Sequence, residues 1–239
     1  MRTLQILVIF VMMGMPTATL DSEDDADQFT FVRLKYRGHR SIWDLDWPAS
    51  DRNFIFQLRE HTNIEVSRKE KIVDIRSKEL FEYPFAYMLE VSRLRLTSEE
   101  AENVREYLLR GGFIMVDDFH GGRQWKQFYK QLKKIFPKRE PKDIPISHPL
   151  FHCFYQIDEL KQIPGAGAAM RGRTYEKHDG FPARCLGVYD DYGRLMMMIN
   201  FNNDLGDGWE HAADGFYPRD ASDMAFKLGI NAVVYALTH

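Results

Sequence analysis

The sequence is short of several things, and each shortage closes off a class of function. Its 239 residues contain two cysteines, Cys153 and Cys185, so one disulfide is the most it can form. Both sit in apolar surroundings, inside FHCFYQI and ARCLGVY, so two buried free thiols fit equally well. Neither has the glycine-flanked turn of a nucleophile elbow. Basic excess is missing too: 32 Lys and Arg against 35 Asp and Glu give a formal charge of -3, which argues against nucleic acid as a partner. The one basic cluster, KQLKKIFPKREPK, reads as the solvated face of a helix and its exit loop. No GxGxxG fingerprint or P-loop lysine motif is present, so no nucleotide cofactor is expected. Repeats, low-complexity tracts and linkers are absent as well, so residues 29–239 read as a single domain.

Long apolar runs are also lacking. The longest, Leu4 to Met15, is about a dozen residues, short of the ~20 that span a bilayer. It follows a lone Arg2 and precedes Pro16, the small residues Thr17-Ala18-Thr19 and an acidic stretch. That is the pattern of a secretory signal peptide over residues 1–20, with 21–28 as an acidic lead-in. A periplasmic or secreted protein is therefore expected. Membrane association follows only if the segment stays uncleaved. Pro16 is an awkward neighbour for cleavage after Ala18, and no nearby cysteine is available for lipid attachment.

What is present has the rhythm of an α/β fold. FTFVRLKY (29–36) alternates and is rich in β-formers, and YPFAYMLEV (83–91) is a dense apolar run, so both predict strands. Pro48 suits the start of a helix whose apolar face is Phe54, Ile55 and Leu58. Thr97 and Glu100 have capping-box spacing, Val104, Tyr107 and Leu108 form a stripe, and Gly111-Gly112 ends that helix. FIMVD (113–117) is the next strand. The helix after it carries Trp125, Phe128, Leu132 and Ile135 on one face and stops before Pro137. Strands alternating with helices over short connections predict a three-layer sandwich on a mostly parallel sheet. ARCLGVYDDYGRLMMMINF reads as a β-hairpin, and the tail ASDMAFKLGINAVVYALTH as a terminal helix.

Four polar clusters could carry chemistry. The first is Asp117, Asp118 and His120 at a strand tip, the edge where parallel sheets bind ligands. It is a candidate for a ligand or a divalent metal, against the plainer reading that one Asp caps the next helix and His120 packs. The adjoining Gly121-Gly122-Arg123 could hold an anion on its backbone amides. The second cluster, His148 and His152, has helical spacing, but Pro149 disfavours helix there and the HExxH glutamate is missing, so structural histidines are the better reading. The third, MINFNNDLGDGWEH (198–211), packs Asn200, Asn202, Asn203, Asp204, Asp207, Glu210 and His211 into one stretch. It does not match an EF-hand loop and reads as turn-rich. Trp209 there would make a platform for a sugar or other small polar ligand. The fourth, HDGFPARCLG with Arg171 and Arg173 upstream, reads as a loop feeding the hairpin.

The ordered segments YPFAYMLEVSRLRLTSEEAENVREYLLRGGFIMVDDFHG, ISHPLFHCFYQID, NFNNDLGDGWE and YPRDASDMAFKLGINAVVYALTH resemble the bacterial family called domain of unknown function 4159, from about Phe29 to His239. The resemblance implies a flavodoxin-like, class I glutamine amidotransferase-like α/β sandwich. Longer relatives join it to membrane-anchored segments associated with the aerotolerance operon group. In catalytic amidotransferase-like domains the strand after the LxxYLxxGG helix presents a cysteine. Here that tip is Asp117-Asp118-Phe119-His120, so cysteine-dependent amide hydrolysis does not carry over. Similar trehalose-utilisation-type relatives suggest a carbohydrate or other polar small molecule.

Three functions follow as expectations. The leading one is a non-catalytic exported module that binds a polar ligand or an envelope protein. Its site would be lined by Asp117, Asp118, His120, Asn202, Asp204, Asp207, Trp209 and Glu210. The second is a hydrolase whose divalent ion is held by Asp117, Asp118 and His120, with Asp207 or His211. The third is an envelope scaffold using Trp43, Trp47 and Trp209 as an interface. The second requires the first and third clusters to meet around one point.

Overall fold

The structure, a computed structural model, describes residues 28–37 and 42–239. The expected signal peptide, and all of the acidic lead-in but Gln28, lie outside the described residues. Among the described residues no helix is long and apolar enough to cross a membrane.

The first apolar stretch forms β1 (Val32–Lys35), and the runs at 83–91 and 113–117 form β3 (Phe85–Met88) and β4 (Phe113–Val116). β2 (Lys71–Asp74) lies between β1 and β3 in sequence. The sheet is completed by β5 (Lys142–Asp143), β6 (Arg184–Tyr189) and β7 (Leu195–Phe201). The seven strands run in the order β2-β1-β3-β4-β7-β6-β5. Strands β2, β1, β3, β4 and β7 are mutually parallel. Counted alone, they have the flavodoxin-like order 2-1-3-4-5. The expected hairpin is β6 against β7, and β5 adds an antiparallel edge to it. At its turn Asp190 Oδ1 accepts from the backbone N–H groups of Tyr192 and Arg194, and Gly193 takes a φ of 88°.

Strand side chains alternate between two cores. Leu34, Met88, Val116 and Ile199 pack under α2 (Ser98–Leu109) and α3 (Gly121–Ile135). Phe31, Tyr87, Met115 and Met198 pack on the opposite face. That face is covered by α1 (Ala49–His61) and the long α6 (Arg219–Thr238). Two short helices, α4 (Ala166–Ala169) and α5 (Leu205–Glu210), follow the sheet's carboxyl edge. The molecule is a three-layer flavodoxin-like sandwich. Both halves of the capping box form: Glu100 N–H donates to Thr97 Oγ1 at 3.1 Å, and Thr97 N–H to Glu100 Oε2 at 2.8 Å.

One buried cation interrupts this apolar interior. Arg33 of β1 is fully buried, and its guanidinium lies 5.2 Å from the centre of the Tyr87 ring. Its Nε donates to Asp51 Oδ2 at 2.9 Å, and its two terminal nitrogens reach Asp51, Ser50 Oγ and the carbonyls of Trp43 and Leu45. The fork therefore stitches β1 to the first turn of α1 and to the loop before it. Both charges are out of water, so the pair holds only while it is complete. Arg33→Met leaves Asp51 buried and unpaired and should cost about 3–5 kcal/mol, read as a lower midpoint in urea unfolding. A change under about 1 kcal/mol would show that the pair is dispensable.

Candidate metal centre

The carboxyl ends of the parallel strands deliver a ring of acids to one place. Asp46 sits in the loop after β1, Glu90 just past β3, Asp117 and Asp118 at the tip of β4, and Asn202 to Asp204 past β7. Four non-glycine residues have positive φ among the described residues: Asp46 at 61°, Glu90 at 49°, Asp118 at 52° and Asn202 at 64°. All four follow a strand at this edge. Strained backbone of this kind concentrates where side chains must be aimed at a site.

The two aspartates at the tip of β4 diverge. Asp117 turns inward and is fully buried. Its Oδ2 accepts from Tyr87 Oη–H at 2.9 Å and from the backbone N–H groups of Leu205 at 2.7 Å and Gly206 at 3.2 Å. It therefore braces the start of α5, while its Oδ1 is buried with no hydrogen-bond partner. Burial pushes its carboxyl up to about 7, against the pull of those three bonds. Asp118, in left-handed backbone, turns the other way. Its Oδ1 lies 3.3 Å from His120 Nε2, which is also 3.5 Å from Glu176 Oε1.

Asp118, His120, Glu176 and Asp204 each place one ligand atom so that all four lie within 4.8 Å of one another. Asp118, His120 and Asp204 are buried, and Glu176 is the most open of the four. Burial pushes Asp118 and Asp204 well above the carboxylate range, and neighbouring carboxylates add to it: Glu90, Asp46 and Glu176 for the first, Asp118, Asp207 and Asp46 for the second. Glu176 is also raised, chiefly by burial, with Lys177 opposing. Burial and Lys177 hold the His120 imidazole neutral, down to about 3. A neutral imidazole is the form that binds metal. Three carboxylates with one imidazole suit manganese, iron, zinc or magnesium.

A second group adjoins the first. Asp46, Asp204 and Asp207 also offer ligand atoms within 4.8 Å of one another. Burial, then the charge of Asp207, pushes Asp46 up to about 8, with Arg33 opposing. Asp204 caps α5, its Oδ1 accepting from Asp207 N–H at 2.8 Å, and Asp207 Oδ2 accepts from Ala166 N–H at the start of α4. A third group, Asp207, Glu210 and His211, is half-exposed. There His211 Nδ1 lies 2.7 Å from Asp214 Oδ2.

The other sequence candidates take structural places. Asn202 Oδ1 accepts from Gly121 N–H at 2.9 Å and its Nδ2 donates to the Pro182 carbonyl at 2.8 Å, so it ties two loops together. Asn203 does the same for Ile163 N–H. Gly122 N–H donates to Asp179 Oδ2 at 2.8 Å, so the amides at the start of α3 are already occupied by the chain itself and do not wait for an anion. Trp209 offers no ligand platform. It is fully buried against Phe54, Tyr87 and Phe31, with ring centroids 4.5, 5.2 and 6.2 Å away. His148 Nδ1 accepts from Leu150 N–H, and His152 Nε2 lies 2.6 Å from the Ile146 carbonyl, as the structural reading has it. Both cysteines are free. Sequence reasoning missed Asp46 and Glu176. The first lies in WDLDWP and the second in RGRTYEKHDG, and neither stretch has a metal-ligand spacing.

Raised carboxyls make a prediction about the metal-free protein. Above their folded values the carboxylates are charged in both states, and the cost of burying that charge is fully present. As the pH falls through about 8 for Asp46 and about 7 for Asp117, the folded state takes up protons that the unfolded chain does not, and stability rises. Between about pH 8.5 and about pH 6.5 the chelated protein should gain on the order of several degrees in Tm. Asp46→Asn should flatten that slope. Below about pH 6.5 the gain is opposed by His120, whose buried ring stays neutral while unfolded histidine protonates. A Tm that falls over the upper interval would contradict the buried-acid account.

No curated protein matches the chain. A family model does, over residues 30–237. The chain belongs to the family described as domain of unknown function (DUF4159).

Proposed function

We propose that this chain is a divalent-cation-dependent hydrolase whose ion is held by Asp118, His120, Glu176 and Asp204. The observation that carries the reading is the convergence of four ligand atoms within 4.8 Å. They come from separate segments, after β4, after β7 and from the 164–183 stretch, and two of these are the clusters whose meeting the metal reading required. An ion here would neutralise carboxylates that burial otherwise drives toward protonation. It would also lower the pKa of a bound water toward neutrality, supplying hydroxide without a cysteine or serine nucleophile. Glu176, with a side chain 26% exposed against 2% for His120, marks the side from which water and substrate enter. Lys177 is exposed beside it and favours a substrate with an anionic or strongly polar group. Residues 1–20 support an exported protein.

A non-catalytic reading, in which the ion fixes the loops for a polar ligand or an envelope partner, is favoured by one feature. Three of the four ligands are almost closed off, as in structural sites.

The first experiment is thermal: chelate the protein, then add manganese, zinc, magnesium or calcium. An ion at 100 times its Kd stabilises by about 2.7 kcal/mol, and Asp118→Asn should abolish the resulting Tm shift. If no ion moves Tm, the metal reading fails. The ion that does is then assayed with phosphate, acyl and glycosyl esters. Turnover lost in Asp118→Asn supports the hydrolase, and a Tm shift without turnover on any of them favours the binding module.

A further inference from the structure

The four-ligand group leaves Asp46 unexplained. Its Oδ2 is shut off from solvent and has no hydrogen-bond partner. It leans over Gly206 so closely that a Cβ at position 206 would lie 2.5 Å from it. The same construction recurs at the first group, where a Cβ at Gly165 would fall 1.9 Å from Glu176 Oε1 and 2.9 Å from Asp204 Oδ2. Two glycines thus leave room for carboxylates of the two groups that share Asp204.

The nearest strong cation cannot answer Asp46. All the guanidinium donors of Arg33 are committed, to Asp51, Ser50 Oγ and the carbonyls of Trp43 and Leu45.

Resting on the metal reading above, we infer that the centre is dinuclear, with Asp204 bridging the first ion to a second held by Asp46 and Asp207. The geometry fits. Asp204 belongs to both ligand groups, and within each group the ligand atoms lie inside 4.8 Å of one another. Two-metal sites hold their ions about 3.5–4 Å apart, the spacing at which a pair can clamp the attacking and leaving oxygens of a displacement. Asp46 reaches the second ion from the loop that Arg33 pins, and Asp207 from the first turn of α5. This division predicts which side chain belongs to which ion. Asp118, His120 and Glu176 serve the first and Asp46 the second.

The test is metal stoichiometry on the full chain, by equilibrium dialysis against manganese alone, with electron paramagnetic resonance of the loaded protein. Two ions per chain with a spin-coupled spectrum are expected, falling to one ion with an isolated-ion spectrum in Asp46→Asn. One ion in the unsubstituted protein overturns the dinuclear assignment and leaves the first site standing. No bound ion removes the metal reading itself. Two ions retained in Asp46→Asn overturn the role given to Asp46. The substitution removes one of several crowded acidic charges, and the Asp46 Oδ2 has no hydrogen bond to lose, so the chelated variant should melt no lower than the parent. Should it fail to fold, Glu176→Gln gives the reciprocal test: the first ion weakens, and the spin-coupled signal is lost. A coupled signal that persists there overturns the pairing.

Discussion

Carboxylates crowded into a low-dielectric edge without enough cations are the constraint on which the rest of this structure turns. Two unit charges about 4 Å apart repel by about 4 kcal/mol at an effective dielectric of 20. A domain is stable by only about 5–15 kcal/mol. A handful of such pairs, ionised together, would consume that margin. The fold must therefore protonate these groups or balance them with positive charge from outside. Inside, the supply is small: Arg33 is spent on Asp51, and Lys177 sits exposed at the rim. Raised carboxyls throughout the cluster express the first solution, and a bound cation would be the second. The same arithmetic makes helix capping alone an insufficient explanation, since capping needs one carboxylate per helix and not a ring of them.

The sheet supplies the geometry. In the 2-1-3-4-5 order of the parallel strands, the order of strand addition reverses between β1 and β3, and the loops there part to leave a crevice. Asp46 and Glu90 stand on either side of that reversal, after β1 and β3, and Asp118 and Asp204 follow β4 and β7. Left-handed backbone at Glu90, Asp118 and Asn202 turns the chain sharply just beyond β3, β4 and β7, and at Asp46 it does so within the loop after β1. At the tip of β4, where the resemblance would place a cysteine elbow, the turn presents Asp118 instead. A carboxylate there would suit the proposed ion, with water in place of a protein nucleophile.

Much of this fold was legible because its signals are local. The Thr97–Glu100 box, the alternation before β1, the apolar runs of β3 and β4 and the Asp190–Gly193 turn each specify an element within a few residues. The strand tip at Asp117–His120 was legible for the same reason. What escaped depends on distant packing. β2 and the two-residue β5 are short and rich in charge, so sheet pairing defines them and composition does not. Helix α5 read as a turn because Gly206 and Gly208 are poor helix formers. Those glycines answer to neighbours, since a Cβ at Gly208 would meet Ala225 at 2.6 Å and one at Gly206 would strike Asp46. Trp209, set among polar residues in sequence, faces the opposite side of that helix and fills the core. Asp46 and Glu176 were invisible because each is an acid in a loop, and only the folded chain shows what it faces.

The division of labour between Asp117 and Asp118 ties these levels together. Asp117 continues the alternation of β4, whereas left-handed backbone at Asp118 breaks it and turns that side chain away. Asp117 falls on the side of Tyr87 and binds the first amides of α5. Those amides belong to Leu205 and Gly206, the residues immediately after Asp204. The carboxylate that never reaches the metal group is thus the one that fixes the residue shared by both ligand sets, while Asp204 in turn caps Asp207. Asp204 and Asp207 are thus positioned before anything binds, by bonds to the amides of Leu205, Gly206 and Asp207. Pre-positioned ligands of that kind spare the cost of ordering loops on binding. The same bonds also give a buried acid with one unpartnered oxygen a structural role: the Oδ2 of Asp117 fixes the amides that follow Asp204.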